Sequence, residues 1–260
     1  MMLSREQALK YVGQEAMKAC YVDDDVVQCA KRFADSEEFQ AVKEVLKKYH
    51  VIPSHSSLLD IGAGNGIASW AFANWGFTVE AVEPEASPLV GYQAINKLSD
   101  ITATPIKIHK TWGEILPVDD NSFDVVYCRA VLHHAYDLVQ MSKEIWRVLK
   151  PNGIFIACRE HVLSKPEDLV TFLNSHPLHR FTGEEHAYLL KDYLSAFHCA
   201  GFDMLQVFSP RQSPINLYPI TKEEMKKKIT LFGQSHFGSF VGVCLVRPVC
   251  FNSFMSAGMT

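Results

Sequence analysis

The stretch Leu58-Leu59-Asp60-Ile61-Gly62-Ala63-Gly64-Asn65-Gly66 constrains this chain more than any other part of it. An apolar run, short enough to be a buried strand, ends in an acid and passes into three alternating glycines. Glycine tolerates backbone angles closed to other residues and carries no side chain, so the main chain can pass close to a flat or bulky ligand. Strand, glycine turn and following helix form one unit of an open α/β sheet, with the ligand lying across the turn. The dinucleotide fingerprint needs a further glycine three residues after Gly64. That position is Ile67, and Gly66 falls one place early, which argues against a nicotinamide oxidoreductase.

The chain has 260 residues, 48% of them hydrophobic, enough for one large domain or a domain with a cap. A formal net charge of -4 gives little attraction for phosphate backbones, so nucleic acid is not expected as a partner. Seven cysteines are scattered without a CxxC pair, and Cys128 and Cys158 fall in apolar runs where thiols act as small hydrophobes. This composition points to a reducing, cytoplasmic setting. Arg5, Glu6, Lys10 and Glu15 interrupt the first residues, unlike the apolar core of a secretory signal. No later run has the length of a membrane span, so no membrane partner is expected. Oligomeric state is not encoded in any motif.

Residues 1–50 read as an N-terminal helical cap. Ser4 can cap a helix continuing through Ala8, Leu9, Val12 and Ala16, and a second amphipathic stretch covers Glu37 to Tyr49. Residues 51–260 form the main domain. Strand-like runs at Ser57 to Ile61, Thr78 to Val82, Ile106 to His109, Asp124 to Cys128 and Ile154 to Arg159 alternate with helical ones at Ile67 to Trp75, Pro88 to Leu98 and Leu138 to Leu149. That alternation predicts a doubly wound, mostly parallel α/β sheet. Pro151-Asn152-Gly153 marks a tight helix-to-strand turn. A helix from His186 to Ala200, a strand from Met204 to Phe208 and an apolar run from Phe240 to Val246 follow. A lid-like insertion occupies about 163–185, and Pro210 to Gly238 is irregular.

Glu83 directly follows the second strand, where a carboxylate can accept hydrogen bonds from two ribose hydroxyls. Arg129-Ala130-Val131-Leu132-His133-His134 leaves the carboxyl end of the strand 124–128, the edge at which open α/β sheets bind ligands. These pieces, with Leu116-Pro117 before Ser122-Phe123-Asp124-Val125-Val126 and with Glu144-Ile145-Trp146-Arg147-Val148-Leu149-Lys150-Pro151-Asn152-Gly153, resemble class I S-adenosylmethionine-dependent methyltransferases. The likeness runs in register from about residue 57 to 160. It implies a Rossmann-like sheet of seven strands whose last is antiparallel, and S-adenosyl-L-methionine as cofactor. On that resemblance Asp60, Gly62, Ala63, Gly64 and Gly66 cradle methionine and ribose, and Glu83 binds the ribose. Arg129 and Leu132 lie in the loop under the sulfonium. Many relatives carry an adenine-binding Asp before Leu116-Pro117; here Trp112-Gly113-Glu114 stands there. Trp112 is expected to stack on the purine, with Gly113 offering an amide; core packing is the alternative for Trp112.

A sulfonium is an activated leaving group, so the enzyme mostly aligns the nucleophile, and only a hydroxyl or ammonium acceptor needs a base. Histidine suits that task. His133, His161 and His186 are the candidate catalytic residues, with a structural role the alternative for His133; His134 is read as structural. The insertion adds His176-Pro177-Leu178-His179-Arg180-Phe181 and Glu184-Glu185-His186, polar groups suited to an acceptor-binding lid. His161, His179, Glu185 and His186 could together hold a divalent ion, but no spacing matches a compact metal motif and no metal is assigned. Arg180 reads as a surface ion-pair partner of Glu184, with an anionic substrate group the alternative, and Lys226-Lys227-Lys228 as a solvated face. The expected activity is methyl transfer to a small polar metabolite, a sugar or other hydroxyl acceptor. The alternative is an inactive cofactor-binding module acting as sensor or scaffold.

Overall fold

Strand Phe123–Arg129 sends Val125 and Tyr127 to one face of the sheet and Val126 and Cys128 to the other, all of them fully buried. Side chains alternate along a strand, so apolar residues at every position require cover on both faces. The computed structural model, which describes residues 2, 4–11, 25–176, 178–208, 218–219, 223 and 241–245, supplies that cover with helices. Against Leu58, Val79, Val125 and Tyr127 pack helices Val26–Ala34, Glu37–Lys48, Ile67–Trp75 and Tyr92–Thr102. Against Leu59, Ile61, Val126 and Phe155 pack helices Leu138–Val148 and Leu190–Ala200.

Among the described residues the sheet has seven strands: β1 (Ser57–Ile61), β2 (Thr78–Val82), β3 (Lys107–His109), β4 (Phe123–Arg129), β5 (Leu149–Cys158), β8 (Asp203–Phe208) and β9 (Val241–Leu245), in the order β3-β2-β1-β4-β5-β9-β8. β3, β2, β1, β4 and β5 are mutually parallel, and β9 runs antiparallel to both β5 and β8. The Rossmann-like sheet with an antiparallel last strand expected from the sequence is the one observed. Two short strands, β6 (Val162–Leu163) and β7 (Tyr188–Leu189), pair separately and bracket the insertion. Ile61 is in register with Val82 on one side and Cys128 on the other, so β1, β2 and β4 end together. Strand order reverses between β1 and β4, and that crevice is where such sheets take ligands.

Several boundaries differ from those read in the sequence. Val26–Ala34 is a separate helix inside the stretch expected to be helical, with bounds the sequence did not give; Asp25 caps it by accepting from the amides of Val27 and Gln28. The helix expected from Pro88 begins at Tyr92, because Ser87 Oγ accepts from the amides of Leu89 and Val90 and turns the chain first. The helix expected from His186 begins at Leu190, because Tyr188 and Leu189 pair with Val162 and Leu163. Pro151-Asn152-Gly153 is a bulge within β5, with Asn152 at φ 65°. Val12, Ala16, Lys226-Lys227-Lys228, Phe240, Val246 and most of 210–238 lie outside the described residues, as does the side chain of Arg180.

Arg147 fixes the crossing before β4. Its guanidinium donates to the carbonyls of Leu116 and Val118 and pairs with Glu144 and Asp120, while Glu144 accepts the amide of Leu116. Arg147→Met leaves two carbonyls and two carboxylates without this donor. A loss of about 1–3 kcal/mol is expected, read as a melting temperature several degrees lower in differential scanning calorimetry. Lys47→Met, which removes only an exposed pair with Glu44, should leave it unchanged.

Candidate active site

The carboxyl ends of β1, β2 and β4 bring the glycine turn, Glu83 and the 129–134 loop together. The amides of Gly62 and Ala63 both donate to Val82 O, tying the turn to the end of β2. Gly62 has φ 69°, and a Cβ built there would lie 2.2 Å from Val131 Cγ2, so no larger residue fits. Gly64 has φ 57°, and the nearest atom its Cβ would meet is Val90 O at 3.9 Å. Glu83 accepts from the Gly64 amide at 2.7 Å and the Glu85 amide at 2.9 Å. A carboxylate has about four acceptor positions, so holding the turn is compatible with accepting from ribose.

Below the turn, Asp60 is buried and accepts from Ser69 Oγ at 2.5 Å. Burial pushes its carboxyl up to about 7, against the hydrogen bond from Ser69 and the charge of Arg129. Arg129 itself pairs with buried Glu38 through Nε at 2.5 Å and lies over the Phe33 ring. It therefore ties the N-terminal helices to the end of β4.

A cavity of about 770 Å³ opens beside the turn, within the size range of small-molecule sites. Gly62 and Glu83 line it, as do Trp112, Gly113 and Met141, together with a wall of His133, His134, Glu185 and His186. A separate recess of about 80 Å³ is lined by Asp60, Gly62, Ala63, Gly64 and Arg129. Trp112 is 68% exposed at the cavity, so it is not a core residue. Gly113 packs so closely on Met141 that a Cβ would lie 2.7 Å from its Cε. Gly66 starts helix Ile67–Trp75 against Ile95 and lines neither space. Leu132 and His161, also expected in the site, stand back from the cavity as well. Leu132 is wholly buried in the core, its amide engaged by Glu160 and its carbonyl accepting from the Ala135 amide. His161 lies behind the wall, its ring against those of His133, Phe172 and His176. Burial first, then the charges of His133, His176, Arg159 and His134, hold its pKa well below the ordinary value, so it is neutral at pH 7.

Glu160, wholly buried at the end of β5, organises this wall. It accepts from the amides of Val131 and His133, and its Oε2 lies 2.7 Å from His133 Nδ1. Burial raises its carboxyl to about 7, opposed by the hydrogen bonds from the amides of Val131, Leu132 and His133. His134 Nδ1 sits 3.2 Å from the Glu184 carbonyl. The Nε2 atoms of His133, His134 and His176 lie 3.9, 3.7 and 3.8 Å from Glu185 Oε2. Of the set considered from sequence, His161 and Glu185 do come together, but with His176 in place of His179 and His186, and His133 and His134 meet Glu185 in a second group. Sequence reading recognised neither the part of Glu160 nor that of His134 and His176. An acid at the carboxyl end of the strand next to β4 was the available signal for Glu160. His186 lines the cavity with its buried Nδ1 unpartnered among the described residues, and burial lowers its pKa.

Residues 59–157 match the methyltransferase domain family. Over 127 residues the chain is 28% identical to the uncharacterized methyltransferase YcgJ of Bacillus subtilis, covering 45% of this chain and 46% of that one. It is 26% identical over 122 residues to the tRNA U34 carboxymethyltransferase of Campylobacter curvus, covering 46% and 40%. The matches span under half the length of these curated relatives. A crystal structure of a Galdieria sulphuraria protein, provisionally assigned as a sarcosine dimethylglycine methyltransferase, superposes with a TM-score of 0.64 at 18% identity, covering 95% of this chain and 92% of the other. Among the described residues no helix is long and apolar enough to cross a membrane.

Asp60 gives a pH test of this arrangement. A carboxyl that keeps its proton to about pH 7 in the folded chain but only to about pH 4 in the unfolded one contributes stability that is present at low pH and lost as pH rises between them. The stability of the native chain relative to Asp60→Asn should therefore fall from pH 4 to pH 7 in urea titrations. A rise over that range would mean that Arg129 holds Asp60 ionised.

Proposed function

Because the chain belongs to the class I S-adenosylmethionine-dependent methyltransferases, we propose that it binds S-adenosylmethionine and methylates a small polar metabolite through a hydroxyl, as on a sugar. One observation carries this reading: a single cavity joins the glycine turn and Glu83 to a wall of imidazoles and a carboxylate. The residues at the glycine turn, Gly62 and Glu83 in the cavity and Gly64 in the separate recess, fit the cofactor. Gly64 offers a backbone with no Cβ toward open space, and Glu83 presents a carboxylate fixed by two amides. Exposed Trp112 would stack on the purine, a contact of about 1–3 kcal/mol. When bound, S-adenosylmethionine supplies a methyl group on a good leaving group.

The chain's own task is then to align the acceptor and take its proton. His186 lines the cavity, and burial keeps its imidazole neutral near pH 7, ready to accept a hydroxyl proton. Relatives bear names that point to different acceptors, one to tRNA and one to sarcosine and dimethylglycine. The net charge of -4 favours a small acceptor over a polyanion.

Calorimetric titration with S-adenosylhomocysteine tests the cofactor half. Glu83→Ala should abolish binding, and Gly64→Ala should weaken it at least about tenfold while costing only about 1–2 kcal/mol of stability from backbone strain. Full affinity in both variants overturns the assignment. With an acceptor found by screening hydroxylated metabolites, His186→Gln should lower kcat by about 10²- to 10⁴-fold and leave S-adenosylhomocysteine affinity unchanged. The native enzyme should lose activity only as pH falls below the ordinary imidazole value, because the base must be neutral and its pKa is lowered.

A further inference from the structure

We infer that His133, His134 and Glu185 form a binding site for one divalent transition-metal ion of the zinc class on the acceptor side of the cavity. Their ligand atoms all lie within 4.8 Å of one another. A carbonyl oxygen only accepts, so the contact of His134 Nδ1 with Glu184 O places the proton on Nδ1 and the lone pair on Nε2. Glu160 Oε2 already accepts the His133 amide and lies 2.7 Å from His133 Nδ1, which gives His133 the same tautomer. Both lone pairs then face Glu185 Oε2, at 3.9 and 3.7 Å. Those separations are too long for hydrogen bonds, and with both imidazoles neutral they set acceptor against acceptor, an arrangement that a cation between them would satisfy. Ligands bound to one tetrahedral zinc at about 2.0–2.2 Å stand roughly 3.3–3.6 Å apart, so small side-chain shifts would close the site.

The surroundings have the form of a metal centre. Each imidazole has its second nitrogen fixed by an oxygen, Glu160 for His133 and the Glu184 carbonyl for His134, the outer-shell pattern that orients ligating histidines. Two histidines and a carboxylate leave a fourth position open, as catalytic zinc sites do, and all three residues line the cavity. The neighbouring group of His161, His176 and Glu185 lies behind the wall, and neither histidine lines the cavity, so it has no such open position. An oxygen of the acceptor is the natural fourth ligand. That role rests on the proposed methyl transfer, whereas ion binding does not.

The test uses the full chain without a histidine tag. After chelator treatment and gel filtration, it is dialysed against Zn²⁺, Co²⁺, Mn²⁺ or anaerobic Fe²⁺ at micromolar free concentration, and bound metal is measured by mass spectrometry. About one equivalent of Zn²⁺ and a tetrahedral-type visible spectrum with Co²⁺ are expected. His134→Ala and Glu185→Gln should abolish both, and Glu160→Gln should weaken Zn²⁺ binding about 10- to 100-fold. S-adenosylhomocysteine binding, measured on each variant without metal, reports that it is folded and tests the cofactor reading separately. Absence of stoichiometric uptake of any of the four ions by the native chain overturns the site; the cluster is then a protonated imidazole–carboxylate group. Undiminished uptake in folded Glu185→Gln also overturns it.

Discussion

A single buried carboxylate, Glu160 at the end of β5, holds the loop that leaves β4. It accepts from the amides of Val131 and His133 and meets the His133 ring. A loop carrying unpaired amides into a closed interior would be costly, so Glu160 sets the path of the chain there. That path puts Val131 against Gly62, where a Cβ would clash, and His133 into the cavity. Both halves of the site therefore lean on one side chain. Burial raises its carboxyl to about 7. Near neutral pH the loop accordingly rests on a group close to its titration midpoint, stabilised as an anion mainly by the amides it organises.

The sheet makes this possible by ending β1, β2 and β4 at one level. Apolar residues on both faces of β4 demand helices above and below, which leave the strand ends as the open edge. Arg129 extends the arrangement. Paired with buried Glu38 and lying over Phe33, it couples the turn edge to helices Val26–Ala34 and Glu37–Lys48. Removing either partner of such a pair strands a buried charge, which explains why an arginine can sit so far inside.

What the sequence made legible was local. β1, its glycine turn, β2 and Glu83 are contiguous or nearly so, and strand periodicity with glycine spacing reveals them directly. The antiparallel last strand was readable through a resemblance that orders the motifs. Boundaries failed where a side chain competed with the helix, as Ser87 does before Tyr92 and as the β6–β7 pairing does before Leu190. Trp112 could not be placed by its type, since an aromatic suits both core and cavity; only its exposure decides. The grouping of His133, His134, His176 and Glu185 was beyond reach, because it draws on segments more than 40 residues apart whose approach depends on the folded insertion.

This contrast follows from how the two walls are built. The wall at the glycine turn is largely backbone: amides, missing Cβ atoms and one carboxylate held by them. Backbone geometry leaves a compact mark in sequence, because few residues permit it. The imidazole wall is side chain, gathered from the loop after β4 and from the segment at Glu185 and His186. Donor binding can then stay constant while acceptor choice changes with the insertion, which is the usual division between a rigid scaffold and its loops. The cluster around Glu185 belongs to that side-chain wall, so it is on the part of the site that selects the acceptor in this reading.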